Sequence, residues 1–143
     1  MKDPTSSPKE WEEYFKNIVR LSYGASNYKD VPDKHVGDFG IECFTLNGHV
    51  FQCYLPEQTS DTKKLVEAQR SKINGDIAKF TNKNVEDLTK LFGKIKISRW
   101  ILATNASVSA MLIQFCTQKA LEVRKSGIEY ISDEFEILKN WTP

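Results

Sequence analysis

Two short runs rich in aromatic and β-branched residues, 39–46 and 49–55, flank the dipeptide Asn47-Gly48. That arrangement is a strong hairpin signal, because Asn and Gly accept the positive φ angles that tight hairpin turns require. Pro56 follows the second run and ends it. A hairpin in the middle of the chain constrains what the flanking segments can be, since they must cover or extend it.

The flanks read as helices and further strands. Ser7-Pro8-Lys9-Glu10 is a helix start: Ser7 caps, Pro8 suits the first helical position and Glu10 completes a capping box. Trp11, Tyr14, Phe15, Ile18 and Leu21 recur at helical spacing up to a stop at Gly24. A turn-rich segment follows, with a short strand near Tyr28 to Val31. After the hairpin, 61–80 reads as a helix burying Leu65, Ala68, Ile73, Ile77 and Phe80, and 84–92 as a shorter one closed by Gly93. Residues 95–104 form a dense apolar run suited to a strand covered on both faces. Ser107 opens a helix to Ser126, with Val108, Met111, Leu112, Phe115 and Leu121 as its stripe. Residues 128–131 read as a short last strand, and Asp133 as the cap of a final helical turn or two holding Phe135, Ile137, Leu138 and Trp141. The order predicts an α/β fold: a mixed sheet containing the hairpin, flanked by helices.

The chain has 143 residues, 40% hydrophobic and 11% aromatic, which suits one domain with a sizeable core. Residues 1–7 are a polar lead and 8–143 the domain, with the expectation that it is excised from a longer protein. Cys43, Cys53 and Cys116 show no CxxC spacing, and neither histidine has a partner at metal-ligand spacing, so reduced thiols and no zinc are expected. No signal-like or membrane-length apolar run occurs, so the expected setting is cytoplasmic, without a membrane partner. The net charge of +1 excludes nucleic-acid binding by bulk charge. It conceals a gradient, however. Residues 61–99 carry ten Lys and Arg against five Asp and Glu, whereas 1–60 carry six against nine. A basic segment directly after the hairpin is either a solvated helix surface or a phosphate-facing side.

Gly37-Asp38-Phe39-Gly40-Ile41-Glu42 leads into the hairpin, and Gln52-Cys53-Tyr54 lies on its second strand. With Trp11-Glu12 on the first helix and Trp100-Ile101-Leu102-Ala103-Thr104 downstream, this order resembles the Mrr-like branch of the PD-(D/E)xK restriction-endonuclease superfamily. There an aromatic-Glu pair, a glycine-rich acidic segment and a Gln-Cys-Lys strand follow one another. The resemblance covers nearly all of 10–140, with 81–94 as an insertion. It implies a restriction-endonuclease-like fold and a nuclease-like, DNA-interacting domain of a bacterial restriction or anti-phage defence protein. Such a domain works beside other domains or subunits of a defence system. It implies Mg²⁺-dependent phosphodiester hydrolysis if the site is active. In that case Glu42, Gln52 and Asp38 would hold the metal, Glu12 would be the helix-borne carboxylate and Lys63, Lys64 and Lys72 would face DNA.

Tyr54 stands where the family has its lysine, and a neutral phenol cannot stabilise phosphate charge as an ammonium does. Two functions therefore follow: an active nuclease in which Lys63, Lys64 or Lys72 replaces the missing lysine, or a catalytically degenerate fold kept for nucleic-acid binding or protein assembly. Strand parity separates them. A two-residue Asn47-Gly48 turn would set Glu42 opposite Cys53 and leave Gln52 and Tyr54 on the other face. A three-residue connection over 47–49 would set Glu42 opposite Tyr54, on one face with Gln52. A metal site requires an odd-length loop or a bulge, and one of the two is expected here; a regular two-residue hairpin would count against a Glu42–Gln52 site.

Overall fold

The computed structural model describes residues 7–31, 39–57, 60–106 and 109–139. Helix α1 (Pro8–Tyr23) begins as its capping residues dictate: the Ser7 hydroxyl accepts the Glu10 N–H at 3.2 Å, with Pro8 in the first turn. It ends at Gly24, whose N–H donates to Arg20 O. Its buried residues are Trp11, Phe15 and Val19, a strict i, i+4, i+8 row. Tyr14 and Leu21, expected in the same stripe, are 46% and 85% exposed. This row packs on Phe51, Cys53, Ile101 and Ala103 of the sheet, and Trp11 fixes it by donating its indole N–H to Ala103 O at 3.0 Å.

Strands β1 (Tyr28–Asp30), β2 (Cys43–Thr45) and β3 (His49–Cys53) form an antiparallel meander. β3 pairs in parallel with β4 (Ile97–Ala103), and β4 in parallel with β5 (Ile131–Lys139), giving a five-stranded mixed sheet in the order β1-β2-β3-β4-β5. The first crossover carries α2 (Thr62–Ala78), a π turn (Lys79–Lys83) and α3 (Val85–Phe92); the second carries α4 (Ala110–Arg124). The parallel pairs require such crossovers. The fold is therefore α/β, with helices on both faces of the sheet.

Two cores result. Val50, Trp100, Leu102, Phe135 and Ile137 face the crossover helices, packing on Ile73, Ile77, Leu88 and Leu112. Phe51, Cys53, Ile101 and Ala103 face α1. Alternation along β3 and β4 thus assigns each residue to a face by parity.

The hairpin connection is of odd length, as expected, but it spans residues 46–48 rather than 47–49, with Gly48 at φ +93°. A Cβ there would come within 2.2 Å of Lys96 O, because the loop is pressed on the start of β4. The last helix does not form: β5 runs through Asp133, with Glu134 and Glu136 exposed and Phe135 and Ile137 buried. That two-residue period is a strand pattern, and β4 supplies the backbone partners, at Ile97↔Ile131 and again from Arg99↔Glu136 beyond a bulge. Trp141 lies outside the described residues. α4 is capped by Ser109 rather than Ser107, which with Val108 is also outside them. It buries Leu112, Cys116, Ala120 and Val123, leaving Met111 and Leu121 exposed.

Candidate functional site

Glu42 sits at the end of the hairpin where alternation fails. Ile41 and Phe44 both face the crossover helices, so the two residues between them share the α1 face. The Glu42 N–H donates to Phe51 O at 2.8 Å, while Cys43 is the residue in register with Phe51. Two residues of one strand thus oppose one of the other, as in a bulge. The Glu42 carboxyl turns under α1, where Glu12 and the Cys53 thiol act on its charge. Its Oε2 is buried without a hydrogen-bond partner among the described residues.

Around this carboxyl the charges are dense. Lys16, one turn beyond Glu12, lies 3.8 Å from Glu12 and 2.9 Å from Asp30, and Tyr28 donates to Asp30 at 3.2 Å. Burial pushes the Glu42 carboxyl up to about 9; bonding to Glu12 and repulsion from it add to the rise, and the Cys53 bond and the Lys16 charge oppose it. Burial alone would lower Lys16, but its bond to Asp30 and the charges of Glu12, Asp30 and Glu42 outweigh that and raise it. Burial raises both thiols, Cys43 to about 12 and Cys53 beyond the ordinary range. At neutral pH this is a protonated acid beside a carboxylate-ammonium network, with unreactive thiols.

Gln52 lies between Phe51 and Cys53, both of which face α1, so it points to the opposite face. It is 4% exposed, and its Oε1 has no hydrogen-bond partner among the described residues. Tyr54 packs on the crossover-helix side too, with the Lys72 ammonium 5.7 Å from its ring centroid. Lys72 is also paired with Asp76 at 3.1 Å. Burial and the Glu57 charge raise the Tyr54 phenol, so it stays neutral. An open groove of about 560 Å³ lies beyond the C-terminal end of β3, lined by Tyr54, Leu55, Pro56, Glu57, Lys64 and Leu65. Lys63 and Lys64 are exposed in the first turn of α2.

The structure therefore brings Glu12 together with Glu42, and Tyr54 with Lys72, but separates the two groups by the thickness of the sheet. Asp38 lies outside the described residues. A hard divalent cation takes six or more oxygen ligands from converging donors. Glu42 Oε2 is an oxygen in need of a partner, yet Gln52 faces away from it and the Lys16 ammonium already occupies the flank of Glu12. Among the described residues, no three His, Cys, Asp or Glu side chains are grouped to hold a metal. Glu42 and Gln52, on opposite faces of the sheet, do not converge on one cation as the site that the resemblance implies would need.

Sequence reasoning missed Lys16, Asp30, Gln69 and Asp76. Lys16 was legible as the i+4 partner of Glu12. Gln69 and Asp76 interrupt the buried row of α2 at 0% and 2% exposure, and a polar residue on an apolar row was their signal.

Comparison with protein-family models, with curated proteins and with solved structures found no match. Among the described residues, no helix is long and apolar enough to cross a membrane.

Proposed function

We propose that this chain is a restriction-endonuclease-like domain that has lost the cleavage site and binds nucleic acid, as one part of a bacterial restriction or anti-phage defence assembly. The observation that carries the reading is the placement of Glu42 and Gln52 on opposite faces of the sheet. The three-residue hairpin loop and the bulge at Glu42 each shift strand parity, and together their effects cancel. The strand order, with the hairpin next to β4 and β4 next to β5, supports the fold assignment. The binding surface of the proposal is the groove beyond β3. It lies at the carboxyl end of parallel strands, where α/β sheets receive ligands. It offers a tyrosine ring and Lys64, and it borders the segment 61–99 with its excess of five positive charges.

The test pairs binding with cleavage. Labelled single- and double-stranded DNA are titrated at several salt concentrations, and supercoiled DNA is incubated with Mg²⁺ or Mn²⁺. The expected result is binding that weakens steeply with salt, with no nicking. Each phosphate contact contributes about 0.9 to the slope of log K against log salt, so Lys63→Glu with Lys64→Glu should flatten it by up to about 2. Acidic residues in a first helical turn are favourable, so that variant should fold. Metal-dependent nicking abolished by Glu42→Ala would overturn the loss of cleavage. No DNA binding at low salt would overturn the nucleic-acid reading and favour protein assembly.

A further inference from the structure

Away from both groups, a cleft of about 280 Å³ opens between α4 and the end of β5. Leu112, Ile113, Cys116 and Thr117 form one wall, Ile137 and Lys139 the other, and the lining is largely apolar. The cation in this wall is Lys139. Among the described residues no carboxylate is paired with it: its ammonium donates to the Ala106 carbonyl, and the titratable group acting on it is the Cys116 thiol. An apolar cleft with one ammonium lacking a counter-ion has an evident complement, because a partly buried charge gains most from a partner of opposite sign.

The seam continues. A second cavity of about 190 Å³ shares Thr117, Ile137 and Leu138 with the first and reaches Leu121, Arg124 and Glu136. The Arg124 guanidinium there donates to Phe135 O at 2.8 Å. Glu136 makes that end unsuitable for an anion, while Lys139 favours one at the other. The polarity of the seam therefore orients an amphipathic ligand.

We propose that this cleft binds a small aliphatic carboxylate, its carboxyl group paired with Lys139 and its chain lying between Leu112, Ile113 and Ile137 along the seam toward Leu121. Burial already pushes the Lys139 ammonium down to about 8, which is the sign expected of a cation without its anion. The site stands apart from the nucleic-acid reading and does not depend on it.

The experiment titrates the full chain with sodium octanoate below its self-association range, following methyl NMR signals of Leu112, Ile113 and Ile137. Saturable shifts confined to the cleft are expected. Octanol, with the chain but no charge, and acetate, with the charge but no chain, should each bind at least about tenfold more weakly, a difference of about 1.4 kcal/mol. Lys139→Met keeps the stem and removes the charge, so octanoate should fall to the level of octanol while octanol is unchanged. Ile113→Glu, at a position 55% exposed, should weaken octanoate without altering the fold. Absence of saturable shifts, equal binding of octanoate and octanol, or an unchanged octanoate affinity in Lys139→Met would overturn the proposal.

Discussion

Glu42 holds a carboxyl in a place that disfavours its charge. Its ordinary value is 4.5, and in the folded chain it rises to about 9. Between those limits the folded state binds a proton that the unfolded state has released, so stability falls as pH rises through that window. Each unit of displacement is about 1.4 kcal/mol, so even part of the shift is measurable. Urea midpoints should decline from pH 5 to pH 9 in the natural sequence. In Glu42→Gln, which has no proton to lose, the decline should flatten and stability at pH 8 should exceed that of the parent. A parallel decline in both proteins would remove Glu42 as its source. The neighbouring residues divide by how local their signals were. Ser7 with Glu10 was readable because capping involves residues three apart. The fate of Glu42 was not, because a bulge depends on what the facing strand and α1 accept.

At the scale of elements, α1 shows how far periodicity reaches. A helical repeat of apolar residues identified the helix and its ends, but spread the buried stripe over Tyr14 and Leu21, which are largely exposed. The row that docks is Trp11, Phe15 and Val19, selected by contact with Phe51, Cys53 and Ile101. Val19→Ala should therefore cost about 1–3 kcal/mol in chemical denaturation, in the range of small core truncations. Leu21→Ala should stay within about 0.5 kcal/mol, as exposed substitutions do. The reverse order would place α1 on its other face. β5 teaches the complementary lesson. Glu134 to Ile137 alternate polar and apolar in a strand period, but Asp133 is an equally good helix cap. The choice went to strand because β4 offers an unpaired edge, and its exposed backbone groups need partners.

At the scale of the molecule, Gly40 ties the parts together. Its φ is +77°, its carbonyl accepts the Trp100 indole N–H at 3.1 Å, and a Cβ would stand 2.2 Å from Asp76 O. It lets the chain pass into the hairpin against the C-terminal part of α2. Gly40→Ala should destabilise the whole fold by about 1–3 kcal/mol or more, the usual strain of a side chain held at such an angle. Thermal unfolding should remain one transition at lower temperature; an unchanged midpoint would contradict the close approach.

What the amino-acid sequence determined by itself is a set of local features: the caps of α1, the hairpin, the apolar strand at Ile97–Ala103 and the basic segment after the hairpin. These depend on neighbours within a few residues, and local sterics, hydrogen bonding and periodicity settle them. The tertiary structure decided which residues meet. Side chains on a strand change faces with a shift of one residue, and the loop length and the bulge at Glu42 each supply such a shift. Their sum turned Glu42 toward Glu12 and left Gln52 with the crossover helices. It did so because packing against α1 on one face and α2 on the other fixes the register, and no local preference of the hairpin does.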